Sequence, residues 1–200
     1  MPLLVTRILL PSLVVLITVA AATWRGVGSL GRSIAGAAVA GALATLALEV
    51  IRITGFRMGY MPGNLPRLMG VLLLDRFALG PSLASDIAGW AYHFENGASF
   101  GIIYVLLFGT SRRWAGVLYG FAVGVGFLLS QVVLSLGVGY FGLEFSMGFP
   151  VTVLAAHLAF GLALGILSQR FLGSQSGLFW LELKGLSTRS SVRSKEAIVG

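Results

Sequence analysis

"HFENGASFG", residues 93–101, and "HLAFGLALG", residues 157–165, share one spacing, H-x3-G-x3-G. Their leading residues, His93 and His157, are the only histidines among 200 residues. Glycines four residues apart lie on one helical face, and the missing side chains let a second helix come close. Each string sits inside a long apolar stretch, so each reads as the packing face of a membrane-spanning helix. Whether the chain is two copies of one unit depends on what surrounds them.

The surroundings are lipid-like. Hydrophobic residues make up 56% of the chain and charged residues 10%, with a mean hydropathy of +0.92. A soluble domain carries about 25% charged residues. Cysteine is absent, which excludes disulfides, thiolate metal sites and cysteine catalysis. The net charge of +7 comes from 14 Lys+Arg against 7 Asp+Glu. Nucleic-acid binding would need that charge concentrated on a soluble face, and it is not.

Apolar runs bounded by charge predict about five transmembrane helices, at 8–24, 33–51, 86–109, 114–140 and 147–169. The first reads as an uncleaved helix rather than a signal peptide, because Trp24 and Arg25 make a poor cleavage context. Arg25, Arg32, Arg112, Arg113, Arg170, Lys184, Arg189, Arg193 and Lys195 then share one side, against Arg7, Arg52, Arg57, Arg67 and Arg76 on the other. The positive-inside rule places the N-terminus outside and the C-terminus in the cytoplasm. Between the second and third spans, the apolar piece 68–74 follows Pro66 and is too short to cross, so an interfacial or re-entrant helix is expected. The Ser-rich basic tail contains "LFWLEL", 178–183, amphipathic enough to lie on a membrane surface.

Further matches extend the repeat. Ala35–Gly36 recurs as Ala115–Gly116 and Gly59–Tyr60 as Gly139–Tyr140, each 80 residues on, while the histidines are 64 apart. The second unit is therefore shorter between its helices. The expected fold is an all-α integral membrane protein: a membrane domain over 1–172 and a tail over 173–200. The membrane domain divides into a leading helix and loop, 1–32, and two hairpins, 33–109 and 114–172. The hairpins run in the same direction, so an axis along the membrane normal relates them.

Three readings compete for the polar residues. Gly97, Gly101, Gly161 and Gly165 with a neighbouring histidine form a packing device in which the imidazole hydrogen-bonds across the interface. Alternatively, a pseudo-twofold brings His93 and His157 face to face around one b-type haem or a metal. Third, Glu95, Asn96 and Gln131 form an intramembrane polar cluster that lines a path for substrate or protons. Glu95 and Asn96 occur only in the first copy, where the second has Ala159 and Phe160. Asn96 shares the face of His93, whereas Glu95 points about 200° round the helix. Glu49 and Arg52, an i,i+3 pair, satisfy one another near a membrane end. Ser85 and Asp86 look like a helix cap. No metalloprotease, nucleophile-elbow, P-loop or dinucleotide motif is present.

Pro66, Arg67 and Leu68, followed by His93, Gly97, Gly101 and Tyr104, give a P-R-L…H-x3-G-x3-G-x2-Y pattern. It resembles small bacterial inner-membrane proteins to which no activity is assigned. The resemblance covers 65–110 and, more weakly, the second hairpin, and it implies a bacterial or archaeal inner membrane. The sequence leads to a non-enzymatic subunit or accessory protein, surrounded by lipid and packing against other subunits or itself. A haem-bearing redox subunit and a small repeat-built transporter or channel are the alternatives.

Overall fold

A computed structural model describes residues 28–174, 176 and 177. The leading segment 8–24 and the string 178–183 lie outside these residues. The described residues are helical, with no strand beyond one isolated bridge between Gly109 and Ser176.

Helix α1, Gly28–Arg57, runs 30 residues through Ala- and Leu-rich sequence without a proline. Its Ala and Leu residues favour the helix, and it stops ahead of Gly59, whose φ of 79° only glycine adopts readily. Helix α2, Leu65–Leu73, carries Pro66 in its first turn, where a missing N–H is tolerated. This is the short apolar helix expected over 68–74. It lies against α3, Leu83–Phe108, where Gly70 and Gly89 bring the two backbones together.

Ser82 caps α3. Its hydroxyl accepts from the Ser85 N–H at 3.2 Å, and the Ser85 hydroxyl accepts from the Ser82 N–H at 2.7 Å. Ser85 thus belongs to the cap, while Asp86 accepts a hydrogen bond from Arg67 Nε at 3.0 Å. Helix α4, Arg113–Leu128, is followed by a break and then by the short α5, Gln131–Ser135. A 3-10 turn, Tyr140–Gly142, leads into α6, Gly148–Leu172.

Among the described residues three helical stretches are long and apolar enough to cross a membrane: Gly31–Arg57, Arg113–Ser135 and Gly148–Leu172. The 26 residues of α3 are sufficient in length, but His93, Glu95 and Asn96 lower its hydropathy. Large apolar side chains point away from the protein along these helices: Val50, Leu118 and Val151 are each more than half exposed. Outward apolar surface on long helices is what a bilayer solvates.

The packing order is α3–α1–α6–α4, with α2 outside α3. Between α1 and α3 the close approach is made by Gly41, Gly97 and Gly101; between α4 and α6, by Gly116, Gly120, Gly161 and Gly165. A methyl group at any of these would run into the facing backbone or, at Gly97, into Thr45. Between lipid-exposed helices, van der Waals packing of this kind replaces the hydrophobic effect as the source of cohesion. Ala37, Ala40, Ala44 and Leu48 of α1 pack with Tyr104, Phe160 and Leu164. A second cluster, with Met61, Leu128, Val133 and Phe149, closes the end near α5.

Candidate functional site

Where α3 and α4 separate, the bundle forms a partly open cavity of about 430 Å³. Thr45, Leu48 and Arg52 reach it from α1, and Tyr92, His93, Asn96 and Phe100 from α3. Val123 and Phe127 contribute from α4, and Ala156, His157 and Phe160 from α6. Met69 of α2 and Ser130, in the break after α4, complete the walls. The volume falls in the roughly 300–1,000 Å³ range of small-molecule sites. The walls are apolar except at a few polar groups, the usual composition of a ligand site.

The polar groups converge from different helices. Arg52 Nε donates to Glu49 Oε1 and Arg52 Nη2 to Glu49 Oε2, both at 2.6 Å. His93 Nε2–H donates to the same Glu49 Oε1 at 2.9 Å. Glu49 is 5% exposed and Arg52 3%. Arg52 is not fully used: its Nη1 is buried without a hydrogen-bond partner. Its guanidinium lies 5.9 Å from the centre of the Trp90 ring, which also stands edge-on to His93. The Glu49 carboxylate and the Arg52 guanidinium offset one another's charge, which limits the cost of burial.

His157 has different neighbours. Its Nδ1–H donates to its own helix, at Val153 O, over 2.8 Å. The ring stacks on Phe127, centroids 5.8 Å apart and planes inclined by 26°. The two histidines therefore border one cavity, His93 tied to a carboxylate and His157 to a carbonyl. Asn96 joins them on the wall. Glu95 does not line the cavity: it accepts from Ser99 Oγ at 3.0 Å, and its second oxygen is buried without a partner. Gln131 opens α5 and is exposed, away from Glu95 and Asn96. Gly97 touches both the cavity and α1, while Gly101, Gly161 and Gly165 serve the helix contacts.

Local spacing predicts the Glu49–Arg52 pair, but not that it is buried or that His93 completes it. The one available signal is the length of α1: it runs five residues beyond Arg52, so the pair sits inside the helix rather than at its end. Among the described residues no group of three His, Asp or Glu side chains is arranged to hold a metal ion. Each histidine keeps one ring nitrogen outside these hydrogen bonds, Nδ1 of His93 and Nε2 of His157.

Comparison with known proteins adds no relative: no protein family, curated protein or solved structure matches the chain.

Proposed function

We propose that this chain is a small membrane transport protein of two hairpin units, which takes a small molecule into the cavity between them. The observation that carries the reading is the buried Glu49–Arg52–His93 cluster on the wall of a ligand-sized cavity. The packing reading accounts for the His93–Glu49 bond between α1 and α3, but not for the buried ion pair beside it or for the partnerless Nη1 of Arg52. Ionisable groups within a membrane are expensive and normally mark a substrate or ion path. Transporter sites commonly lie where two repeats meet, and here α1 and α3 face α4 and α6 across the cavity.

Several correspondences support the duplication. Gly109 and Gly173 end α3 and α6 with nearly the same backbone, φ 70° and 69°, and like the histidines they are 64 residues apart. Gly59 and Gly139, matched at 80 residues, have φ 79° and 70°. On the first helices the contacts pair Gly41 with Gly116: each meets the first glycine of the facing H-x3-G-x3-G through its carbonyl and the second through its Cα. Gly36, the sequence partner of Gly116, faces Leu172 instead. The units share a frame, and the Glu49–Arg52 pair belongs to the first alone. On the expected orientation the cavity lies nearer the outer surface.

The absence of cysteine allows a direct test. A single cysteine replaces Asn96 or Val123 on the cavity wall, or Val50 or Leu118 on the outer face, and intact membranes are treated with a charged thiol reagent. Asn96→Cys and Val123→Cys should react, and the outer-face variants should not. If the wall positions stay as unreactive as the outer ones, the cavity is sealed and the accessory-subunit reading replaces this one.

A further inference from the structure

The position of the cavity's open side identifies the class of ligand. We propose that the cavity takes an uncharged single-chain lipid directly from the bilayer, with the head at Asn96 and the chain in the gap between α3 and α4. The inference rests on the cavity being a ligand site.

Protein stands at the back and at both ends. α1 and α6, packed on one another, form the back through Thr45, Leu48, Ala156 and Phe160. α2 crosses one end: its Leu65 packs on the cluster of Leu128 and Val133, and its Gly70 meets the α3 backbone at Ser85 and Gly89. At the other end aromatic rings join α3 to α4. The Tyr119 ring is centred 6.5 Å from Phe100 and 5.5 Å from Tyr104, and its hydroxyl donates to Phe100 O at 3.1 Å. Between these ends, Gly126 of α4 is the one residue of the lining that is exposed, and a Cβ there would meet open space. Gly126 marks the mouth.

The depth of the mouth decides what can reach it. Gly126 lies within the apolar stretch Arg113–Ser135, about 20 Å from Arg113 at 1.5 Å per residue. That is inside a hydrocarbon core about 30 Å thick, not at its aqueous surface. The exposed Ala122 and Leu129 on the same helix are apolar too. What enters here is dissolved in lipid, while the access from water that transport requires is gained as the ends open. A charged head would be costly to bring through hydrocarbon, and the fixed charges at the wall, Glu49 and Arg52, are engaged with one another. Asn96 is free: among the described residues no protein group hydrogen-bonds its amide, which can both donate to and accept from a hydroxyl. Phe100, Val123 and Phe127 continue the wall from Asn96 towards Gly126 as a path for the chain. One CH2 takes about the space of a water molecule, ~30 Å³. The cavity thus holds roughly a dozen heavy atoms, one head with the first part of one chain, and the rest of the chain leaves through the mouth into the bilayer.

The experiment is photolabelling of the full-length protein in phospholipid vesicles with a monoacylglycerol that carries a diazirine in mid-chain. Labelling in competition with unlabelled monoacylglycerol separates a site from general lipid contact, and mass spectrometry locates the adduct. Displaceable labelling should fall on the wall of α3 and α4 between Tyr92 and Phe100 and between Val123 and Phe127. Gly126→Trp fills the mouth and Val123→Trp the cavity, and each should reduce displaceable labelling roughly tenfold or more. Both variants are checked for folding by circular dichroism, and Leu118→Trp, on the outer face, should label as the wild type does. Asn96→Leu, close in size, removes the partner of the head and should weaken binding roughly two- to tenfold. A lysophosphatidate of the same chain length should compete less well than the monoacylglycerol. Labelling that cannot be displaced, that survives both Trp variants or Asn96→Leu unchanged, or that the lysophosphatidate displaces equally well overturns the inference. So does the absence of displaceable labelling while Asn96→Cys reacts with the charged thiol reagent. If Asn96→Cys is unreactive as well, the transport reading fails with it.

Discussion

Replacing Glu49 by Gln leaves the side chain nearly the same size and keeps an acceptor for Arg52 and His93, but it removes the only negative charge of the cluster. The side chains of Arg52 and Glu49 are 4% and 7% exposed, so the guanidinium would remain buried without a counter-ion. Breaking a buried ion pair by removing one partner costs about 3–5 kcal/mol, against a total stability of roughly 5–15 kcal/mol. Arg52→Met is expected to cost a similar amount by stranding Glu49. The double variant Glu49→Gln/Arg52→Met removes both charges, so no ion is left stranded and the cost of breaking the pair is not incurred twice. The singles then sum to roughly 6–10 kcal/mol and the double falls at least ~3 kcal/mol short of that sum. Unfolding in mixed micelles with rising SDS fraction, followed by circular dichroism, measures all the variants. Singles costing under about 1 kcal/mol, or a double equal to their sum, would show that the pair is solvated and the reasoning wrong.

Other substitutions test the frame around the cavity. Gly41→Leu and Gly116→Leu each drive a side chain into a facing carbonyl and should cost about 1–3 kcal/mol or separate the helices, whereas Gly126→Ala, with open space at its Cβ, should not destabilise in the same assay. Loss of the α3 cap in Ser82→Ala should cost about 1 kcal/mol, read as a lower unfolding midpoint. Arg67→Ala breaks an ion pair whose side chains are 52% and 30% exposed, so its effect should stay within about 1 kcal/mol, in contrast to Arg52.

The helices were legible because their signals are local. Long apolar runs, Pro66 ahead of α2 and the glycine spacing of α3 and α6 all act within a few residues, and helices stand there. The break after Leu128 was not legible. The surrounding run is apolar throughout, with no proline or charge to mark where α4 stops, so Gln131 reads as mid-span while it stands exposed at the start of α5. At the site, helical periodicity sets Asn96 beside His93 and turns Glu95 away, and the cavity wall has the first two only. Glu49 is the instructive case. Its spacing to Arg52 suggests a self-sufficient pair, but the third member of the cluster is 44 residues away. A hydrogen bond between two helices depends on how they rotate against one another, and here Gly41, Gly97 and Gly101 set that rotation. No local pattern encodes it.

Transport requires that the cavity be reached from both sides of the membrane, and Asn96→Cys measures this most directly. In sealed vesicles of known orientation, a membrane-impermeant charged thiol reagent is applied from one face at a time, and labelling of the single cysteine is followed. The account predicts reaction from either face. Reaction from one face only, or from neither, would contradict it.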